Sequence, residues 1–293
     1  ADCKLKNYEY SMSDEEKANL AMCAANYEKM IVVINVGSVF DMSFLDEITG
    51  IGAVVNYAQQ GMMGGKAFAD LISGKVSPSA KPVDTWPKKY GDIPFAMDYS
   101  YLNGDVDQEY YREGIYVGYR YFDSYDVEPR YPFGYGLSYT DFSVEKEKVE
   151  VDGTKVTVTA KVTNTGSVYS GKEVVQLYVS CPQTGMAKEY QKLAAFAKTE
   201  EIRPGESGSV ILLFDIQELA SYREEDAAYV LEKGDYILRL GSSSRDTSAA
   251  AVLVLDEEIV TEQCENICPV VLKVREMEPP MNAETDDEQD NHI

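Results

Sequence analysis

Fifty Asp and Glu side chains against a single histidine, His292, set the range of chemistry open to this 293-residue chain. One imidazole excludes any catalytic triad or metal-hydrolase scheme that needs two. Carboxylates are abundant, but Asp41, Asp46, Glu47, Glu109 and Glu113 read as loop, cap or solvated-face residues, and none is nominated as catalytic. Cys264-x-x-x-Cys268 is half of a possible metal site, without a second cysteine pair to complete it. No metal and no cofactor is implied. A Gly-x-Ser-x-Gly elbow and a phosphate-binding loop are both missing, and Gly64-Gly65 follows no dinucleotide fingerprint. Trp86, the only tryptophan, precedes Pro87 and reads as a packing residue before a sugar-stacking one. The same choice arises for the run from Tyr110 to Phe122 and its sequel Pro132 to Phe142. There aromatics, glycines and two arginines fit neither a helix nor a simple strand, which favours a shaped connection over a carbohydrate platform.

Twenty-seven basic residues against those 50 acids leave a formal charge of -23, which repels phosphate backbones and anionic lipid. Nucleic acid and membranes are therefore not expected partners. No apolar run reaches the roughly 20 residues that span a bilayer. The opening Ala1-Asp2-Cys3-Lys4 lacks an initiator Met and a signal-like stretch, so the chain is expected to be trimmed at its start. Five cysteines without dense, even spacing point to reduced thiols and a cytoplasmic location.

The elements that must position any site change character along the chain. Ser13-Asp14-Glu15-Glu16 predicts a capping box opening a helix with Leu20, Cys23, Ala24 and Tyr27 on its apolar side. Ile31 to Val36 is a β-branched run that predicts a parallel strand buried on both faces, and a second strand is expected at Ala53 to Tyr57. A helix from about Gly65 to Ser73 should close at Gly74 in a left-handed cap. From Pro78 to Phe142 periodicity fades into a long connection expected to wrap the first domain. Period two then takes over, with Val156, Val158, Ala160 and Val162 alternating with polar residues. Further strands are expected at Glu173–Ser180, Ser209–Phe214, Tyr229–Glu232, Asp235–Leu240 and Ala250–Leu255. After about Glu257 both periods are lost, and the acidic end from Glu284 to His292 reads as disordered.

Val33-Ile34-Asn35-Val36-Gly37-Ser38, Gly64-Gly65-Lys66-Ala67-Phe68-Ala69-Asp70-Leu71, Ser77-Pro78-Ser79, Thr85-Trp86-Pro87 and the aromatic run follow one another in order. They lead into Val162-Thr163-Asn164-Thr165-Gly166, Gly171 to Val179, Phe196, Pro204-Gly205-Glu206, Gly234-Asp235-Tyr236 and Gly241 to Asp246. This series resembles the non-barrel domains of glycoside hydrolase family three, the β-glucosidase-like enzymes. The resemblance implies an α/β sandwich with parallel, flavodoxin-like layers, followed by an all-β fibronectin III/immunoglobulin-like sandwich. The implied divisions are residues 1–125 for an N-terminally truncated α/β domain, 126–142 for a connection, 143–257 for the β-sandwich and 258–293 for linker and acidic tail.

The resemblance also implies retaining hydrolysis of terminal β-linked sugars, with an oligosaccharide or β-glycoside substrate, an Asp nucleophile in a barrel domain and commonly a Glu acid/base in the α/β domain. Two such carboxyl groups must lie only about 5 Å apart. The nucleophile leaves with the barrel, which the 293 residues do not include. The acid/base of many relatives lies in a Ser-Gly-Glu-Gly segment, and Ala1-Asp2 resembles the residues just after it. Gln60-Gly61-Met62-Met63 and Ala80-Lys81-Pro82-Val83 depart from the family pattern, which leaves the sugar open. Val260 to Pro269 resembles the connection to a barrel that follows these domains; a barrel that precedes them is the alternative. Two readings result: an accessory portion of an exo-acting β-glycosidase, inactive alone and partnered by the missing barrel, or a non-catalytic sugar-binding or scaffold protein. Apolar surface left open by the absent barrel would make the isolated chain associate.

Overall fold

A computed structural model describes residues 10–98, 104–272 and 274–278. Ala1-Asp2, the acidic tail and His292 lie outside the described residues. The chain forms two compact units. One holds residues up to 76 with 84–109 and 128–131; the other holds 77–83, 110–127 and 132 onward.

In the first unit, the Ser13 hydroxyl accepts a hydrogen bond from the Glu16 N–H at 3.2 Å, and the Glu16 carboxylate accepts from the Ser13 N–H at 2.8 Å. These reciprocal bonds satisfy two orphan donors and open α1 (Asp14–Asn26). Parallel strands β1 (Ile31–Ile34) and β2 (Ala53–Asn56) pair with Ile31 opposite Ala53, and the short α2 (Phe44–Glu47) lies between them in sequence. The amphipathic α3 (Gly64–Ile72) ends where Gly74 takes φ +73°, the left-handed conformation that a Cβ would strain. Val32, Ile34, Met42, Phe44, Ile48 and Trp86 make a small core.

The expectation that the first strand is covered on both faces does not hold. Val32 and Ile34 are buried, whereas Ile31 is 51 % and Val33 39 % exposed. Among the described residues that face of the parallel pair is only partly covered, Val33 and its β2 partner Val55 more so than Ile31. Of the expected apolar side of α1, Leu20 and Ala24 pack against the small core while Tyr27 is exposed, and Ile72 of α3 is exposed as well.

The second unit is a β-sandwich. Its strands are β3 (Phe142–Asp152), β4 (Lys155–Asn164), β5 (Val174–Ser180), β6 (Lys192–Lys198), β7 (Ser207–Asp215), β8 (Ser221–Arg223), β9 (Ala228–Leu231), β10 (Gly234–Ser243), β11 (Asp246–Leu255) and β12 (Ile259–Gln263). They form sheets ordered β3-β4-β7 and β11-β10-β5-β6, with a small β12-β9-β8 sheet beside them. Valines and leucines of β4, β5, β7 and β10 fill the space between the two larger sheets, with Val158, Ala160, Val162, Val175, Leu177, Val179 and Leu238 sealed from solvent.

One strand falls where a linker was expected. β12 lies in the stretch read as linker, because its pairing with β9 carries a bulge between Val260 and Glu262 that breaks the alternation. Residues 110–127, which take in the aromatic run, group with the second unit.

Removing the buried Leu177 side chain leaves a cavity in this core. Leu177→Ala is expected to lower unfolding free energy by about 2–5 kcal/mol in urea titrations. The open face of β1 generates a second expectation. The chain should self-associate at micromolar concentration in sedimentation velocity, and Val33→Lys should shift it toward monomer without lowering the melting temperature of the sandwich.

Candidate functional site

The aromatic run is the stretch most open to a functional reading, and its surroundings are described first. Every residue of β5 after Val174 is buried, which a sheet with one solvated face does not allow. Val175, Leu177 and Val179 face the core, so Gln176, Tyr178 and Ser180 point outward under a cover. That cover is the aromatic run and its sequel. Tyr116 and Phe122 are 2 % and 3 % exposed. α4 (Tyr119–Ser124) sets the Tyr119 ring 4.8 Å from Phe133 and 5.8 Å from Tyr178, centroid to centroid.

Polar groups fasten the cover. The Leu193 N–H donates to the Tyr119 hydroxyl at 2.9 Å, and the Tyr190 N–H donates to the Ser124 hydroxyl at 2.8 Å. Arg245, at the β10–β11 turn, donates to the Phe122 and Val127 carbonyls at 2.7 and 3.1 Å, and its Nε lies 2.7 Å from the Asp123 carboxylate. The run is a covering layer, the connection reading of the sequence. Among the described aromatics of the run and its sequel, Tyr110, Tyr111 and Tyr139 are exposed and remain open to the sugar-stacking alternative.

The acidic residues weighed in the sequence are occupied structurally or solvated. Asp41 accepts from the Ser43 N–H and hydroxyl at 2.9 and 3.0 Å, fixing the entry to α2. Asp46 holds the Arg130 guanidinium through both oxygens, and that contact keeps its carboxyl below the usual range. Glu47 pairs with Lys17 at 3.3 Å, Glu109 is exposed, and Glu113 caps a turn through its carbonyl. Trp86 is 5 % exposed and bridges to Tyr131 through backbone hydrogen bonds, with its ring edge-on to the tyrosine at 6.3 Å. It packs the first unit's core. Met62 and Met63, in the loop that departs from the family pattern, are exposed. Lys81 of the other divergent segment pairs with Glu173 at 2.9 Å, both largely buried. Among the described residues, no group of three or more His, Cys, Asp or Glu side chains could hold a metal ion.

Asp123 is the carboxyl that sequence reasoning missed. Its side chain is 2 % exposed, and burial pushes its pKa up to about 6 against the opposing pull of Gln191 and Arg245. Nothing in the spacing of Phe122-Asp123-Ser124 marks it, because its partners lie about 70 and 120 residues downstream.

Residues 5–119 match the Glycosyl hydrolase family 3 C-terminal domain, and residues 173–244 match the Fibronectin type III-like domain. The chain belongs to glycosyl hydrolase family 3. It is 38 % identical over 282 residues to a beta-glucosidase of Ruminococcus albus, covering 94 % of this chain and 29 % of that protein. A beta-glucosidase structure from Paenibacillus barengoltzii superposes with TM-score 0.82 at 40 % identity, over 87 % of this chain and 29 % of that one. Beta-glucosidase 3B from Thermotoga neapolitana, solved in complex with glucose, superposes with TM-score 0.77 at 35 % identity, over 85 % and 35 %. The chain therefore spans about a third of the length of the relatives it matches. It carries the C-terminal α/β sandwich domain of the family together with its fibronectin-like domain, as the ordered sequence matches imply.

The packing role of Trp86 in this family 3 domain is testable. Trp86→Ala is expected to cost about 3–5 kcal/mol of stability in the first unit. Titration of glucose should give the same response before and after the substitution under conditions where the variant stays folded.

Proposed function

We propose that this chain is the accessory portion of a retaining, exo-acting β-glycosidase of the β-glucosidase type, working in carbohydrate catabolism on terminal β-linked sugars of an oligosaccharide or glycoside. The observation that carries the reading is the ordered pair of domain matches on a chain that spans only a third of its β-glucosidase relatives. The open face of β1 supports it, since a parallel pair normally has both faces covered.

Retention requires one ionised carboxylate to attack the anomeric carbon while a protonated carboxyl hands its proton to the leaving oxygen. Water then releases the sugar from the first carboxylate, with the second acting as base. The described acidic residues offer stabilising contacts, as at Asp41 and Asp46, and no such pair is assigned to them. On this reading both catalytic groups come from polypeptide beyond these residues, the nucleophile from a barrel domain. The α/β unit would supply one wall of the sugar site, and the sandwich would brace the assembly. A cytoplasmic location belongs to the same reading, supported by unpaired Cys23, Cys181, Cys264 and Cys268. The charge of -23 supports a neutral substrate over a nucleic acid or an anionic membrane.

An aryl β-glucoside assay tests the proposal. The chain alone is expected to show no turnover above buffer, because each missing acid/base contribution is worth about 10²–10⁴-fold. Mixing it with the separately expressed barrel portion of a family relative should restore release of the aryl group. Turnover by the chain alone would overturn the accessory reading, and glucoside binding with no turnover in either case would favour a binding or scaffold protein.

A further inference from the structure

The buried cluster beneath α4 holds more acceptors than donors. Asp123 Oδ2 accepts from Gln191 Nε2 at 3.0 Å, and Oδ1 faces Arg245 Nε at 2.7 Å. The same Gln191 nitrogen donates to the Ser244 carbonyl at 2.6 Å, while Asp123 Oδ1, Gln191 Oε1 and Ser244 Oγ are buried without a geometrically formed hydrogen bond. Gln191 is sealed from solvent and Ser244 is 3 % exposed. The Ser244 hydroxyl, which acts on Asp123, is the one unspent donor beside two unpartnered acceptors, Asp123 Oδ1 and Gln191 Oε1; an ionised Asp123 brings acceptors only, whereas its neutral form adds a second donor.

We propose that Asp123 is a proton-operated pin: taking up one proton from solvent seats α4 more firmly on the sandwich, and losing it loosens that seat.

The surrounding charges allow such a switch. Arg245, from the β10–β11 turn, is the cation that faces the carboxylate, and it divides itself among Asp123, Asp126 on the solvent side and two carbonyls. Tyr119 of α4 and Tyr178 of β5 also face Asp123, and burial raises both phenols, so they remain neutral through the mildly acid range. Arg120 and Glu189 act on Tyr119 with opposite signs, and Asp246 of the hairpin is engaged by the Ser242 hydroxyl. Desolvation outweighs the help from Gln191 and Arg245, so the folded carboxyl holds its proton to about pH 6. The sign follows. The folded pKa lies above the unfolded one, so Asp123's contribution to seating is present in acid and is lost as pH rises through about 6.

Hydrogen exchange on the full chain, divided by the intrinsic rate at each pH, reads the pin directly. Protection of the Tyr119–Ser124 amides should rise about tenfold from pH 7 to pH 5 while Val158 and Ala160 of β4 stay level. Asp123→Asn should abolish that rise. Should that variant fail to fold, Arg245→Gln removes the cation and should move the Asp123 carboxyl midpoint, followed by carbon-13 shift, upward. A wild-type midpoint near the ordinary value of about 3.9 would overturn the proposal. So would an unchanged or lowered midpoint in Arg245→Gln, or an equal protection gain in β4, which would make the effect global.

Discussion

A buried amide in the outer face of a β-sheet must find partners for its donors and acceptor, and Gln176 is the residue whose demand organises this molecule. Its Nε2 donates to the Ser242 carbonyl at 2.6 Å and to the Gly134 carbonyl at 3.3 Å, and its Oε1 accepts from the Tyr178 hydroxyl at 2.6 Å. One side chain thus joins β5, the end of β10 and the loop that follows Phe133. Leaving one of these groups unpartnered would cost about 1–3 kcal/mol, which favours the seat of the loop over the sheet. Gly134 has φ +77° and sits against the Gln176 side chain, which makes its missing Cβ part of the same constraint. Beside Gln176, the buried Arg239 donates to Ser180 at 2.9 Å and lies 5.0 Å from the Tyr190 ring centre, extending the polar layer.

The consequence for function is a division between the units. The sandwich has a sealed core, a cover over β5 and a buried Lys188–Glu232 pair. The α/β unit is open, with a parallel strand pair only partly covered on one side and an amphipathic helix whose Ile72 meets solvent. This contrast in exposure supports the accessory reading proposed above. Asp41 and Asp46, which attracted notice in the sequence, serve as turn and ion-pair groups.

Local signals were legible wherever the physics was local. The capping box at Ser13, the stop at Gly74 and the alternation of Val156, Val158, Ala160 and Val162 all appear in the structure as read. The identity of the two domains was legible too, because it rests on many short matches in fixed order. β3 escaped because its charged edge residues and the bulge between Lys146 and Lys148 hide the alternation, and β6 because Leu193-Ala194-Ala195-Phe196-Ala197 has none. The burial of Ile31 and Val33 was overestimated because composition reports what a strand suits, not how fully its second face is covered. Asp123 was illegible for another reason: its environment is assembled from Gln191, Ser244 and Arg245, which only the folded sandwich brings to it.

The most direct measurement is the nucleotide sequence of the reading frame on both sides of this segment. The account predicts an open frame that encodes a barrel domain carrying the Asp nucleophile, with the Ser-Gly-Glu-Gly acid/base segment just upstream of Ala1. Stop codons flanking the segment at both ends would contradict it and leave a protein that acts without the family's catalytic groups.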